Sequence, residues 1–595
     1  MKHCHLYTLL LTAVLLTAGC KKGFLDQVPD DRITIDEVFS KRKSLEQYLA
    51  NIYDRIRDES NQWNSNPWLG CSDEADMTWA RGGYNSYFMN IGSWDPTSGF
   101  YDFWTHYYQG IRSASYFLEN ADKCQEILAL PEGNALLTKY KAEARLLRAY
   151  FYFCLLRQYG PVPLLGEKTL PPDVPFEETQ IPRNSYDECV GFISTELDKA
   201  GADLPLQQTD LVEYGRATRA FAMAIKSRLL LYAASPLVNG NTAYAGFKNL
   251  DGKPLISQQA DAAKWQNAAA AAKAVIDLGI FNLLKKNDAS GNFDPFISCR
   301  DVLLDPWNKE TIFARGGNDV YQWEVHCSPR FAGGWSGVAA TQQIVDAFHM
   351  ANGKMINETG SGYVEEGFST TDTKYTKAGT YNMYVNREPR FYVCITYNGM
   401  TWFNTSEGEK TVELYNTGNT GKQGSYDYSR TGYLVRKNYH PNTYPRQGRS
   451  VARPLVLFRL GEIYLNYAEA LNEAQPGHPD ILTYVNAIRE RAGIPGLPAG
   501  LTQEEMRTRI RQERRIELAF EYHRYFDTRR WNIALQTDGG PFYGMNVDAG
   551  NSVQDLSFYK RTVFETRVFA QQHYFFPIPQ FDIDRNKKLV QNPGW

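Results

Sequence analysis

Glu513, Glu517 and Glu521 fall four residues apart in the segment RQERRIELAFEYHRYFDTRR, residues 511–530. On a helix that spacing puts three carboxylates in one row. Hydrolysis of a glycosidic bond needs a different arrangement, two carboxylates facing each other across a cleft. Arg514, Arg515 and Arg524 stand beside the row, so the pattern predicts ion pairs between packed helices, not catalysis. The letters contain no nucleophile elbow, no phosphate loop and no histidine spacing suited to a metal. Asp538-Gly539-Gly540 reads as a turn and His573 as a structural residue. Sequence alone leaves open a catalytic pair elsewhere in the chain.

The residues better suited to chemistry are aromatic rings in irregular chain. In DEADMTWARGGYNSYFMNIGSW (73–94), Trp79 sits among polar and small residues, with Arg81 beside Gly82-Gly83. An indole face stacks on the C–H face of a sugar ring, while Asp73, Arg81 and neighbouring amides bond hydroxyls. The plain alternative is that Trp79 plugs its loop onto the core. A second segment, NDVYQWEVHCSPRFAGGWSGV (318–338), carries Tyr321, Trp323 and Trp335, the last between Gly333-Gly334 and Ser336-Gly337. Rings on two loops would form a curved platform for a polysaccharide; the alternative is packing against a partner protein. Trp402 and Phe403 make a third, weaker cluster.

These loops need a rigid support, and the sequence predicts a helical one. Lys141, Arg145 and Arg148 line one face of a helix, and Ala149 to Leu156 carries no charge, so the second half is covered on every side. Gly160-Pro161 stops it. Thr34-x-x-Glu37, Ser185-x-x-Glu188 and Thr502-x-x-Glu505 are capping boxes. They open helices reaching about Arg57, Ala200 and Phe526. Further helices are expected over Tyr107–Asp122, Gly215–Leu237, Ala260–Leu278, Arg459–Ala474 and Ile481–Ala492. Between about Lys285 and Arg453 the helical period fades and Gly, Asn, Thr, Tyr and Trp dominate, with a short strand expected at Arg390–Thr396. Long loops on rigid scaffolds tend to carry binding.

Met1 to Gly19 has a basic end and an apolar centre too short for a membrane span, which needs about 20 residues. It ends in Leu16-Thr17-Ala18-Gly19-Cys20, small residues before a cysteine as in a bacterial lipoprotein box, so Cys20 is expected to carry lipid. Of 9 cysteines, the scattered remainder without C-x-x-C spacing argues against a disulfide framework or zinc site. A net charge of −3 points to neither nucleic acid nor an anionic membrane surface.

FLD at 24–26, AEARLLRAYFYFCLLRQYGPVPL, SRLLLYAASPL, GEIYLNYAEALNEA, NAIRERAGIP, ERRIELAFEYHRYFDTRRW, PIPQFDIDRN and the closing QNPGW together resemble the SusD/RagB family of outer-membrane nutrient-binding lipoproteins. Ser115 and Tyr522 stand where that family usually has Asn and Gly. The resemblance implies a mainly α fold of four tetratricopeptide-like helix pairs with a loop-rich ligand face. It implies one domain over 34–595: scaffold at about 34–284 and 454–535, an insertion at about 285–453 and a tail at 536–595, after a tether at 20–33. It places Trp79, Trp335 and Tyr321 near the family's ligand arc. It also implies a SusC-like TonB-dependent transporter as partner and a location on the outer membrane facing outwards. The expected role is glycan binding without catalysis and without a cofactor, a structural ion being left open. A peptide-binding protein of the same fold and a glycan hydrolase are the alternatives.

Overall fold

The computed structural model describes residues 35–60, 66–79, 84–171, 173–318, 320–403 and 408–595. The leader, Cys20, the tether, Thr34 and Arg81 lie outside these residues. Helix α1 (Arg42–Tyr53) is followed by strand β1 (Ala75–Met77). Then come α2 (Trp104–Asn120), α3 (Gly133–Tyr159), α4 (Tyr186–Asp203), α5 (Arg219–Ala234) and α6 (Ala263–Ile276). Each of α2 to α6 packs on the next, an ordered array of helix pairs.

Helix α3 is the spine of this array. Every side chain from Ala149 to Leu156 is buried, as its charge-free run requires. Its upstream cations find acids on neighbouring helices: Arg145 and the fully buried Arg148 both pair with Glu196 of α4, at 2.9 and 2.5 Å. Ser115 accepts from Arg148 Nη1 at 3.0 Å. Gly160 ends the helix at φ 70°, a backbone that disfavours any side chain. The Ser185 box is made reciprocally: Glu188 N donates to Ser185 Oγ at 3.2 Å, and Ser185 N to Glu188 Oε2 at 2.8 Å.

The array is interrupted by an excursion whose two ends meet. Strand β2 (Thr311–Arg315) leads into α7 (Val320–Cys327), β3 (Val338–Ala340), β4 (Ile395–Tyr397) and β5 (Tyr433–Val435). Strand β6 (Leu455–Arg459) returns to pair antiparallel with β2. Helix α8 (Leu460–Ala474) then packs on α6, taking the next place in the array. Helices α9 (Pro479–Arg491), α10 (Gln503–Glu517) and α11 (Arg524–Arg530) follow, then the hairpin β7 (Gly540–Met545) and β8 (Arg561–Arg567). The excursion has its own apolar core, around Trp323, Tyr384, Phe391, Trp402 and Tyr433, separate from that of the helices.

Two expectations are corrected. Residues Pro389–Cys394 form a helical turn, with Pro389 at its first position, and the strand begins only at Ile395. The helix expected to run from Thr502 to Phe526 stops at Glu517, because Phe520 and Tyr522 adopt left-handed backbone, φ 61° and 71°. Glycine takes that conformation freely, and here two aromatic residues adopt it.

The glutamate row lies in the interior. Glu517 accepts from Arg459 at 2.8 Å, from Arg390 at 3.1 Å and from Arg491. Glu513 pairs with Arg390 at 2.6 Å and Arg489 at 2.9 Å, and Glu521 with Arg459 at 2.7 Å and Lys437 at 2.6 Å. Burial opposes ionisation of Glu517, yet the three guanidiniums hold its carboxyl well below the ordinary range. Removing one charge from such a cluster strands its partners in low dielectric. Glu517→Gln should therefore cost about 3–5 kcal/mol in urea unfolding. Lys285→Gln, at an exposed pair with Glu490, should unfold with the unsubstituted protein.

Candidate functional site

The two aromatic loops are stitched together by backbone. Strands β1 and β3 pair antiparallel, Ala75 opposite Ala340 and Met77 opposite Val338. Past the end of β1, Thr78 N donates to Gly337 O at 3.1 Å and the Thr78 hydroxyl to Ser336 O at 2.9 Å. Trp79 thus leaves this short sheet where Trp335 enters it. From the other side, Trp335 N donates to Val325 O and Gly337 N to His326 O, tying the segment to α7.

Between the two indoles lies a residue that the sequence reading passed over. The His326 imidazole meets Trp79 at a centroid distance of 5.4 Å and 86°, and Trp335 at 4.9 Å and 79°. Tyr84 lies on Trp79 at 5.4 Å and 33°. His326 Nδ1 is 2.6 Å from Gln322 O, which assigns the proton to Nδ1. Burial pushes its pKa down to about 4, so the ring is neutral at physiological pH. The product is an uncharged aromatic row, Tyr84–Trp79–His326–Trp335, with its outer end open: Trp335 is 42% exposed and Trp79 8%. Gly337 is demanded by the packing, since a Cβ there would come within 2.3 Å of the Trp79 ring. The signals for His326 in the letters were faint, a histidine one helical turn from Trp323 near a Gly-rich stretch.

The other expected site residues divide. Tyr321 is half-buried, its hydroxyl donating to Pro445 O at 3.3 Å, and among the described residues its ring touches neither Trp79 nor Trp335. Trp323 is corrected outright: it is 2% exposed in the core of the excursion, its indole N–H donating to Lys437 O at 3.3 Å. Asp73 is corrected as well. It is buried against Arg515 of α10 and Arg524 of α11, each at 2.7 Å. Burial is outweighed there by the two guanidiniums, which bring its carboxyl down to about 2. Asp73 anchors the loop to the scaffold and has no oxygen to spare for a ligand. Trp79, too, is walled in more than a free platform would be. Trp402 is fully buried, and Phe403 covers Arg436. Among the described residues, no group of three or more His, Cys, Asp or Glu converges on a metal position, and no helix is long and apolar enough to cross a membrane.

Comparison with known proteins gives concordant matches along the chain. The model of the SusD family matches residues 308–595, and a model described as starch-binding, associating with outer membrane, matches residues 23–231. A SusD-like protein of Bacteroides ovatus is 24% identical over 98% of this chain and 96% of its own length. SusD-like protein P2 of Formosa agariphila is 32% identical over 25% of this chain and 27% of its own. Among solved structures, a SusD-like protein from Bacteroides fragilis is 28% identical with a TM-score of 0.75, covering 96% of this chain and all of that one.

Glu74, beside Asp73, reports on this anchor. It is buried, one carboxyl oxygen accepting from Phe520 N at 3.2 Å and the other without a partner. Burial and then the Asp73 charge push its pKa up to about 8 from an ordinary 4.5. The folded chain keeps this proton where the unfolded chain releases it, so the group's contribution to stability is present below about 4.5 and is lost as pH rises to about 8. Glu74→Gln should therefore gain stability over the unsubstituted protein progressively across that window, as read by urea unfolding at several pH values. A gap that is constant or shrinks with pH would contradict the protonated state.

Proposed function

The chain belongs to the SusD family, and from that premise we propose that it binds glycans at the Trp335 face and passes them, without catalysis, to a SusC-like TonB-dependent transporter, acting as its lid. The observation that carries the reading is the open indole of Trp335, seated on a neutral imidazole and held by backbone pairing on both sides. A large exposed ring on rigid backing is suited to the apolar face of a sugar, and it binds without first paying to order a loop. The description of the model matched by residues 23–231 supports both a glycan ligand and an outer-membrane setting. Lipid on Cys20 would keep the site on the outer face beside the transporter. Absence of catalysis is supported by the carboxylates that sequence spacing made suspect: Glu513, Glu517 and Glu521 are consumed by buried cations.

Trp335→Ala should weaken oligosaccharide binding about tenfold, ~1.4 kcal/mol, with little change in melting temperature. Trp79→Ala should instead melt early, because it empties the space between Tyr84, His326 and Gly337. Calorimetry over a panel of oligosaccharides, paired with thermal melts, separates the two. Unchanged affinity in the Trp335 variant would remove the stacking role, and new reducing ends from a bound polysaccharide would end the non-catalytic reading.

A further inference from the structure

A cleft away from the Trp79–Trp335 row holds a cation that no carboxylate among the described residues pairs with. Arg436 follows β5, and among the described residues its guanidinium has no carboxylate partner. Its Nη1 donates to Tyr392 O at 3.0 Å. Two rings lie against the guanidinium, Phe403 at 4.2 Å and Phe296 at 5.8 Å. Lys374, on the rim of the cleft, is itself paired with Asp294 at 3.3 Å.

Arg183 and Arg387, which are buried where Arg436 is only half-buried, also have no carboxylate partner among the described residues, and the contrast with them is informative. Arg183 donates to the carbonyls of Pro161, Val590 and Tyr159 and to Asn592. Arg387 donates to the carbonyls of Met383, Val345 and Phe348. Protein carbonyls thus take up the terminal nitrogens of both, although Arg387 Nε is left without a partner among the described residues. Arg436 has one such acceptor and opens onto a cleft of about 760 Å³, within the usual range for ligand pockets. Burial brings its pKa down to about 10, which leaves it charged at neutral pH.

The rest of the lining narrows the occupant. Among the described residues no Asp or Glu borders the cleft, and Lys374 stands at its edge. Phe296, Tyr375 and Tyr392 form a column of parallel rings, with centroids 6.0 and 4.8 Å apart and planes within 29° and 28°. Thr401, Thr411 and Ser552 add hydroxyls. Rings, hydroxyls and one unspent guanidinium together match a polyol that bears an anion.

We propose that this cleft is a second ligand site, taking an acidic sugar whose carboxylate or sulfate group pairs with Arg436 while its ring packs beside Phe296 and Tyr375. A charge-assisted bond to a fork with one protein acceptor, the carbonyl of Tyr392, supplies the affinity. The site does not depend on the Trp335 face.

The test is calorimetry on the full chain with four probes: trigalacturonate, a sulfated galactotriose, neutral galactotriose and triglutamate. The acidic sugars should bind more tightly than the neutral one and lose affinity as salt rises. Arg436→Gln should weaken them about tenfold, and Arg436→Lys should retain part of the affinity. Because Arg436→Gln removes a packed side chain, Ser552→Trp provides an independent block: the residue is exposed, and the indole would fill the cleft. Trp335→Ala should leave acidic-sugar binding intact, even if the glycan role of that face fails. Whichever acidic sugar binds more tightly identifies the anion. The proposal is overturned if neither acidic sugar binds, if neutral sugar or triglutamate binds equally well, if both cleft variants keep full affinity, or if only Trp335→Ala abolishes binding.

Discussion

The buried ion cluster around Glu517 is the constraint on which the two halves of this molecule depend. Arg459 ends β6, Arg491 ends α9, Arg390 comes from the excursion, and all three converge on one carboxylate of α10. Glu310, one residue before β2, takes Arg459 and Arg491 from the other side. A buried charge tolerates no displacement of its partners, since each would be left unpaired in low dielectric. The cluster therefore sets the root of the excursion, where β2 and β6 meet, against the last helices of the array. It serves registration: such pairs contribute little net stability over well-packed apolar side chains, but they penalise every other arrangement.

From this root the support reaches the aromatic row by short steps. Asp73 ties the first loop to Arg515 and Arg524, on the two helices that flank the left-handed turn at Phe520 and Tyr522. Strand β1 starts two residues later and pairs with β3, and the indoles sit at the far end of that pair. Trp79 and His326 are the backing and Trp335 is the face. The division is physical: Trp79 is wedged over a glycine that has room for nothing else, whereas Trp335 keeps one side in water. An adhesive ring is useful only if its mount does not give, and here every mount is a backbone hydrogen bond or a buried ion pair.

The Trp335 face and the Arg436 cleft differ in charge. The Trp335 face rests on a neutral histidine, while the Arg436 cleft presents a cation with no carboxylate partner among the described residues. Stacking discriminates weakly among sugars, and an unspent guanidinium discriminates strongly for anions.

Much of the scaffold was legible in the letters because it rests on local rules. The charge-free run of α3, its stop at Gly160 and the Ser185 and Thr502 boxes depend on residues a few positions apart, and the structure reproduces them. That Glu513, Glu517 and Glu521 would be ion-paired was also readable, but not with which cations: Arg514, Arg515 and Arg524 of their own segment pair with Asp527 and Asp73, and the row is met instead by Arg390, Lys437, Arg459, Arg489 and Arg491. The two aromatic segments were expected to form one platform from Trp79, Tyr321 and Trp335; the structure brings Trp79 and Trp335 onto His326 and leaves Tyr321 out of that row. Which ring faces water was not readable, because exposure depends on what packs from elsewhere. Trp323 and Trp335 share one segment, yet Lys437 of a distant turn receives the first and solvent the second. Asp73 looked like a ligand group until Arg515 and Arg524, far along the chain, claimed it. Sequence by itself determined the helical array and the places where it is interrupted, through periodicity, caps and stops. Only the tertiary structure decided which polar and aromatic groups are left without a protein partner, because that is settled by long-range packing and not by the neighbours a residue has in the chain.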